Sequence, residues 1–563
     1  MRRDTETSLI RALSPSLAAN MVLDSLPTEL LLHVFSFLSV RDILSLRQTS
    51  KILCGVTQER SVWFDALHSH VIDQMVPAHH IGGRDKMSLS SADLEEATIH
   101  ALKARESWTS DSPQATKHLE VKIATPESRC YARTYAAYFL PGVDNRYLIT
   151  LTRLELTPRE YIIQCWDLQQ SHIPHVARYS STALRGVQVN TEPGHPVVLT
   201  ITSGVPEIGI TTSACGIDFS KDTNDAFHVH QFFESLGLTL KLEGSTFFAT
   251  DDTNRITAYS VETGGVLYIL RVPLVHSDQT IFLEEHRCFS MQIVGDFILT
   301  FCQQWTHLYA LPPQDLMGLS SDGRAIELDP AAKHRWRFRI DTLKSMPMYP
   351  HPLAAQLRPA QSTAASLYPP IYILLRFDSW YPWPVNILHF FILPPNPAFC
   401  ASSYTRPRPG SPPPAELPYL HTSHPGGPAL KPYIADSVPS PIRIFTPSDA
   451  VLGRYGTALW LDAQTDLPSQ VGDRGQRVAG KVLRYVPPPA EENQEPRHAV
   501  NLDVQMNEAS ADRADAEHSK TTQPSLFHLQ EEAENWTRLA VCDDEARIAV
   551  CCVDGRVMVY DYT

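Results

Sequence analysis

The segment Arg547-Ile548-Ala549-Val550-Cys551-Cys552-Val553-Asp554-Gly555-Arg556-Val557-Met558-Val559-Tyr560-Asp561 places two apolar, β-branched runs on either side of Asp554-Gly555. Asp-Gly favours the left-handed backbone that a tight hairpin turn demands, so the segment predicts strand, turn, strand. The same design recurs along the chain. Tyr147–Leu151 is followed by Tyr161–Leu168, which contains Trp166-Asp167. Thr246–Thr250 precedes Arg255–Ser260 and the turn Glu262-Thr263-Gly264-Gly265, and Phe297–Phe301 precedes His307–Leu311. Further candidate units lie at Val197–Asp218, Tyr368–Leu393 and Arg443–Tyr485, giving about seven in all. Hairpins that each leave a face uncovered must stack on one another, and a closed ring also limits exposed edges.

The units resemble irregular WD-type propeller blades. The expectation for residues 116–563 is therefore a large all-β domain, a β-propeller of about seven blades. The alternative is a β-sandwich pair or another all-β array. Two stretches interrupt the repeat. Residues 394–441 are dense in Pro, Ser, Gly and His, and residues 487–524 are acidic, with Glu491, Glu492, Glu495, Asp512, Asp515 and Glu517. Both read as disordered insertions that bury too little to order themselves. Ser411-Pro412 and Ser440-Pro441 are candidate phosphorylation sites within the first.

The N-terminal part has a different texture. Residues 1–21 read as a flexible tail. From Leu26 the period is helical. Pro27 suits the first helical position and Glu29 the positive end of the macrodipole. At 100° per residue, Glu29, His33 and Ser36 share one narrow polar face. Leu30, Leu31, Leu32, Val34, Phe35, Phe37 and Leu38 cover an arc of roughly 220°, against about 100° or more for an ordinary surface helix. Ser39 can cap a second helix carrying Ile43, Leu44 and Leu46, with Asp42 completing a weak capping box. Ile52, Leu53, Trp63, Phe64 and Leu67 supply further apolar faces. This is more oily surface than so small a unit can hide, which points to an obligate partner. Residues 71–115 follow as a linker, with a helix at about 92–108 suited to act as a strut.

Leu26-Pro27, Glu29-Leu30-Leu31, Phe35, Leu38, the Asp42–Leu46 segment and Trp63 resemble an F-box over residues 22–70. The variant Arg41–Lys51 followed by Arg60–Leu67 is similar to F-boxes abundant in mushroom-forming fungi. Leu53 departs from the pattern, since many F-boxes carry an aromatic there. The resemblance implies a non-catalytic substrate-recognition subunit of a cullin-RING, SCF-type ubiquitin ligase, in the ubiquitin-like conjugation pathway. It would bind a Skp-type adaptor, and through it a cullin, by the F-box, and a protein target by the β domain. It implies adaptor-binding roles for Leu26, Pro27, Leu30, Leu31, Val34, Phe35, Leu38, Leu44 and Leu46, and F-box core roles for Ile43, Ile52 and Trp63. The alternative within the family is a scaffold without ubiquitination targets.

Bulk numbers and missing motifs narrow the classes. The 563 residues leave room for two or more domains. The net charge of −14 gives no overall basic footprint for nucleic acid, and no Lys/Arg-rich run stands out. Ten cysteines without a CxxC pair suggest neither a disulfide framework nor zinc, and reduced thiols fit the cytoplasm or nucleus. Met1–Glu6 lacks the apolar run of a secretory signal, and the most apolar stretch, near Ile371–Leu393, is broken by Arg376, Asp378, Pro382 and Pro384, so no membrane span is expected. Gly475-Gln476-Arg477-Val478-Ala479-Gly480-Lys481-Val482 approaches a phosphate-binding loop, but Val482 stands where a magnesium-reaching hydroxyl is needed, and the stretch reads as a surface loop. Histidines 228, 230, 286, 307 and 334 are scattered among strand-like runs, and adjacent acids such as Asp251-Asp252, Glu284-Glu285 and Asp543-Asp544 would point to opposite faces of a strand. No catalytic residue, cofactor or metal ligand is assigned.

Overall fold

The computed structural model describes residues 23, 26–78, 88–122, 131–142, 146–170, 173–205, 209–234, 237–251, 255–273, 287–318, 324–351, 367–377, 387–408, 414, 416–420, 430–440, 448–463, 475–484, 525–531 and 535–562. The expectations for 1–21 and 487–524, for Ser411-Pro412 and for His286 lie outside these residues. The chain divides into two units: residues 1–106 with 351–359, and residues 107–350 with 360–563.

The first unit is helical. Its elements are α1 (Thr28–Phe35), α2 (Val40–Arg47), α3 (Lys51–Val56), α4 (Arg60–Leu67), a π-helical turn at His68–Ile72, and α5 (Ser91–Trp108), whose last two residues count with the second unit. Local chemistry sets the boundaries. Pro27 precedes the first turn of α1, the Ser39 hydroxyl accepts from the Asp42 N–H, and Ser50 does the same for Leu53. Leu31, Phe35, Ile43, Leu53, Trp63, Leu67, Val71, Leu94 and Ala101 fill one core.

The second unit is a seven-bladed β-propeller, one sheet per blade. In chain order the blades are built from strands within 132–181, 184–234, 238–271 with Glu327–Leu328, 288–310 with 332–335, 340–347 with 371–393 and 433–439, 450–463 with 476–482 and 525–531, and 536–561. Each is an antiparallel meander except for the short parallel edge strand Glu327–Leu328. The first strand of each blade lies innermost, beside first strands of other blades. Blade seven borrows its outer strand, Lys117–Lys122, from the start of the unit, where it pairs with Arg556–Asp561. The seven hairpins read from sequence fall one per blade on the second and third strands. Phe297–Cys302 is buried throughout, as a strand covered on both faces should be. Gly555, at φ +83, makes the turn that Asp554-Gly555 announced.

Three expectations are overturned by the fold. Described residues of the Pro-rich stretch 394–441 do enter the fold: Leu417, Tyr419 and Leu420 are buried between blades four and five, and Tyr433–Pro439 is the outer strand of blade five. Proline excludes a segment from ladder bonding but not from packing, and the Tyr419 hydroxyl donates to the Pro369 carbonyl at 2.6 Å. Ser440 is fully buried, so its hydroxyl is not presented for phosphorylation. The near-phosphate-loop segment is not a surface loop. Gln476–Val482 is the third strand of blade six, and a Cβ on Gly480 would fall 2.4 Å from Leu459 and 2.6 Å from Phe527.

Candidate functional site

Helix α1 has two apolar faces. Leu31 and Phe35, four residues apart, point into the core at 1% and 2% exposure. Leu30, at 51%, lies outside it, with Val34 half-buried and Phe37, just beyond the helix, at 76%. His33 packs edge-on against Phe37, ring centres 5.1 Å apart. Leu26, Leu38, Leu44 and Leu46 are half-buried around the core, and Pro27 is exposed. The sequence assignment thus divides. Leu31 and Phe35 are core residues, not partner-facing ones. Ile43 and Trp63 are buried in the core, whereas Ile52 is 56% exposed and its neighbour Leu53 takes the buried position.

Trp63 organises the module. Its indole N–H donates to the Thr57 carbonyl at 2.8 Å, and the Arg47 guanidinium lies 5.5 Å above its ring. Arg47 also donates to the Thr57 hydroxyl at 3.1 Å and reaches both Glu95 oxygens at 2.7 and 2.9 Å. The hydrogen bonds to Glu95 raise the Arg47 pKa further, so the charge is permanent. One side chain therefore ties α2, α3, α4 and α5 together and fixes the direction of the outward face.

On the propeller, six of the seven first strands carry a β-bulge near their N-terminal end. The displaced residues are Tyr135, Arg185, Leu240, Phe289, Asp341 and Thr537. Each lies near the C-terminal end of its hairpin partner, so all six sit at the same end of the ring. At the first of them, Tyr135 is flanked by the guanidinium groups of Arg133 and Arg153, 5.2 and 5.0 Å from its ring centre. Arg133 and Arg153 are directly opposed across the strands. Their Nε atoms are buried without an acceptor, while Arg153 also pairs with Glu155. Like charges opposed in this way cost stability, and the pair with Glu155 offsets part of that cost at Arg153. Bulges cannot be read from an alternating pattern, so no sequence signal marked this cluster.

Residues 23–68 match the F-box-like family. The chain carries an F-box-like domain. No curated protein matches the chain in sequence. Among solved structures, the Cps50 (Swd1) β-propeller domain of Myceliophteria thermophila is similar at 10% identity and TM-score 0.38, over 79% of this chain and 100% of that one. The propeller is read from the seven sheets and their pairing rather than from that likeness.

An F-box joined to a propeller is the architecture of a substrate-recognition adaptor, a type that is typically non-catalytic. F-box domains generally bind Skp-type adaptors. Among the described residues no cluster of His, Cys, Asp or Glu is arranged to hold a metal, and no helix is long and apolar enough to cross a membrane. His307 is buried and His334 is pushed down to about 4, chiefly by burial, so it stays neutral in the fold.

Proposed function

We propose that this F-box protein is the target-recognition subunit of a cullin-RING ubiquitin ligase. The observation that carries the reading is the second apolar face of the F-box. Leu31, Phe35, Ile43 and Trp63 already fill the core, yet Leu30 and Phe37 stay in water. Large side chains exposed beside a completed core are the anchors of an interface. A Skp-type adaptor covers them, with Val34, Leu44 and Leu46 at the margin, and a cullin joins through that adaptor.

The propeller holds the protein target on the end where the bulges lie, with Arg133, Tyr135 and Arg153 among the contacts. No bond chemistry is required of the chain. It acts by raising the effective concentration of the target near a ubiquitin-loaded enzyme. None of the nine described cysteines forms a disulfide, which supports a cytoplasmic or nuclear setting.

The test is capture of a purified Skp-type adaptor by the full chain. An apolar anchor contributes about 2 kcal/mol, or roughly 30-fold in affinity. Leu30→Asp with Phe37→Asp is expected to abolish capture while the thermal unfolding profile stays unchanged. Undiminished capture by that double variant overturns the reading.

A further inference from the structure

The chain holds 62 acidic residues against 48 Lys and Arg, yet residues 331–340 read Ala-Ala-Lys-His-Arg-Trp-Arg-Phe-Arg-Ile, with a cation at every odd position from 333 to 339. Interleaving with rings hides this run from a search for consecutive basic residues. Ala332–Arg335 is the outer strand of blade four and pairs on its inner side with Trp305–Ala310. Among the described residues no strand pairs with its outer side. The chain then bends at 337–338 toward blade five.

The rings of this run hold it in place. Trp336 is buried and packs edge-on to Phe391 at 5.1 Å, His334 packs against Trp336 at 4.9 Å, and Phe338 meets Phe377 at 5.6 Å. The cations point outward: Lys333, Arg335 and Arg337 are exposed. Lys333 and Arg335 lie over one ring, that of Trp305, at 5.6 and 5.7 Å from its centre. Neither forms an ion pair with a carboxylate among the described residues. Lys431 brings a further positive charge near His334.

We propose that the outer edge of Ala332–Arg335 is a docking site for an extended acidic peptide, which adds a strand to blade four and sets its carboxylates against Lys333 and Arg335. Alternate side chains of host and guest strands repeat at the same distance, about 6.6–6.8 Å, so cations two residues apart select acids two residues apart. Stacking on Trp305 holds both cations before the guest arrives and reduces the entropy lost on binding. Cations on an open edge repel a second copy of the same edge, so the charge that blocks self-association also selects the guest. A single-stranded nucleic acid fits less well. It needs open ring faces for its bases, and here Trp336 is buried, Trp305 is covered by cations, and the half-exposed Phe338 ring carries the Arg337 guanidinium 5.0 Å from its centre.

The inference rests on the target-holding role proposed for the propeller, but its test omits the adaptor, so the two readings fail separately. The full chain is titrated into a short fluorescent peptide of alternating Glu and Val, with anisotropy as the readout. Affinity is expected to fall about tenfold or more when Gln replaces Glu, when alternate peptide nitrogens are methylated, and in Lys333→Glu with Arg335→Glu. Lys333→Gln with Arg335→Gln, checked for an unchanged melting temperature, provides the milder variant. Equal binding of the Gln peptide or by both double variants overturns the charge match. Unchanged binding of the methylated peptide overturns strand addition. Tighter binding of an oligouridylate than of the Glu peptide assigns the edge to nucleic acid and overturns the proposal.

Discussion

Leu30 and Leu31 are adjacent and chemically identical, yet one is 51% exposed and the other 1%. Leu31→Ala is expected to cost about 2–5 kcal/mol and Leu30→Ala less than about 0.5. Hydrogen exchange across residues 28–72 of the full chain separates the two. Sequence could place both leucines on an apolar arc, but not choose the sector facing the core. That choice depends on where α3 and α4 lie. Ile52 and Leu53 show the same limit in α3, whose six residues are too few for a period to discriminate. A different residue-scale effect governs pH. Burial raises the Asp543 carboxyl to about 7, although its Oδ2 accepts the Tyr455 N–H at 2.7 Å, and Asp462 is likewise pushed to about 7. The folded state therefore keeps protons that the unfolded chain releases above about pH 4. This contribution to stability is complete below that pH and is lost as pH rises through about 7. The urea midpoint of the propeller should fall from pH 5 to pH 8. Asp543→Asn should flatten the fall in part, with Asp462 supplying the remainder.

Among the elements, the second and third strands of each blade were legible and the first and fourth largely were not. Phe297–Cys302 is covered on both sides and reads as an unbroken apolar run. Lys117–Lys122 shows only Val121 fully to the core, and Phe227–Glu234 only Phe233, so their composition does not separate them from loops. The Pro-rich stretch 394–441 misled in the opposite direction, because composition counts prolines and misses three well-placed core residues, Leu417, Tyr419 and Leu420. In the F-box, the helices depend on a polar tie as well as on their oily faces. Arg47 and Glu95 are only about a fifth exposed. Removing one partner leaves the other charge poorly solvated. Arg47→Met is expected to lower F-box stability by about 1–3 kcal/mol, seen as faster exchange in α2 and α5, whereas Glu95→Gln, which keeps one acceptor, should cost less.

For the molecule as a whole, the repeat predicted the number of blades but not the closure, which is made by residues far apart in the chain. The Thr116 N–H and hydroxyl both donate to the Asp561 carbonyl, at 2.8 and 3.1 Å across 445 positions. Val121 is 2% exposed in the core shared with Val557 and Val559. Val121→Asp is expected to lower the propeller's melting temperature by several degrees and broaden its transition, as scanning calorimetry would show, since a buried unpaired charge opens the blade that completes the ring. The same seam sets a schedule for synthesis. On the ribosome, Lys117–Lys122 emerges early and has no strand to join until residues 556–561 follow. Six blades must wait as an open arc with a bare edge, so this chain has reason to engage chaperones late in translation, and a stop codon shortly before residue 556 would strand the whole ring rather than a single blade.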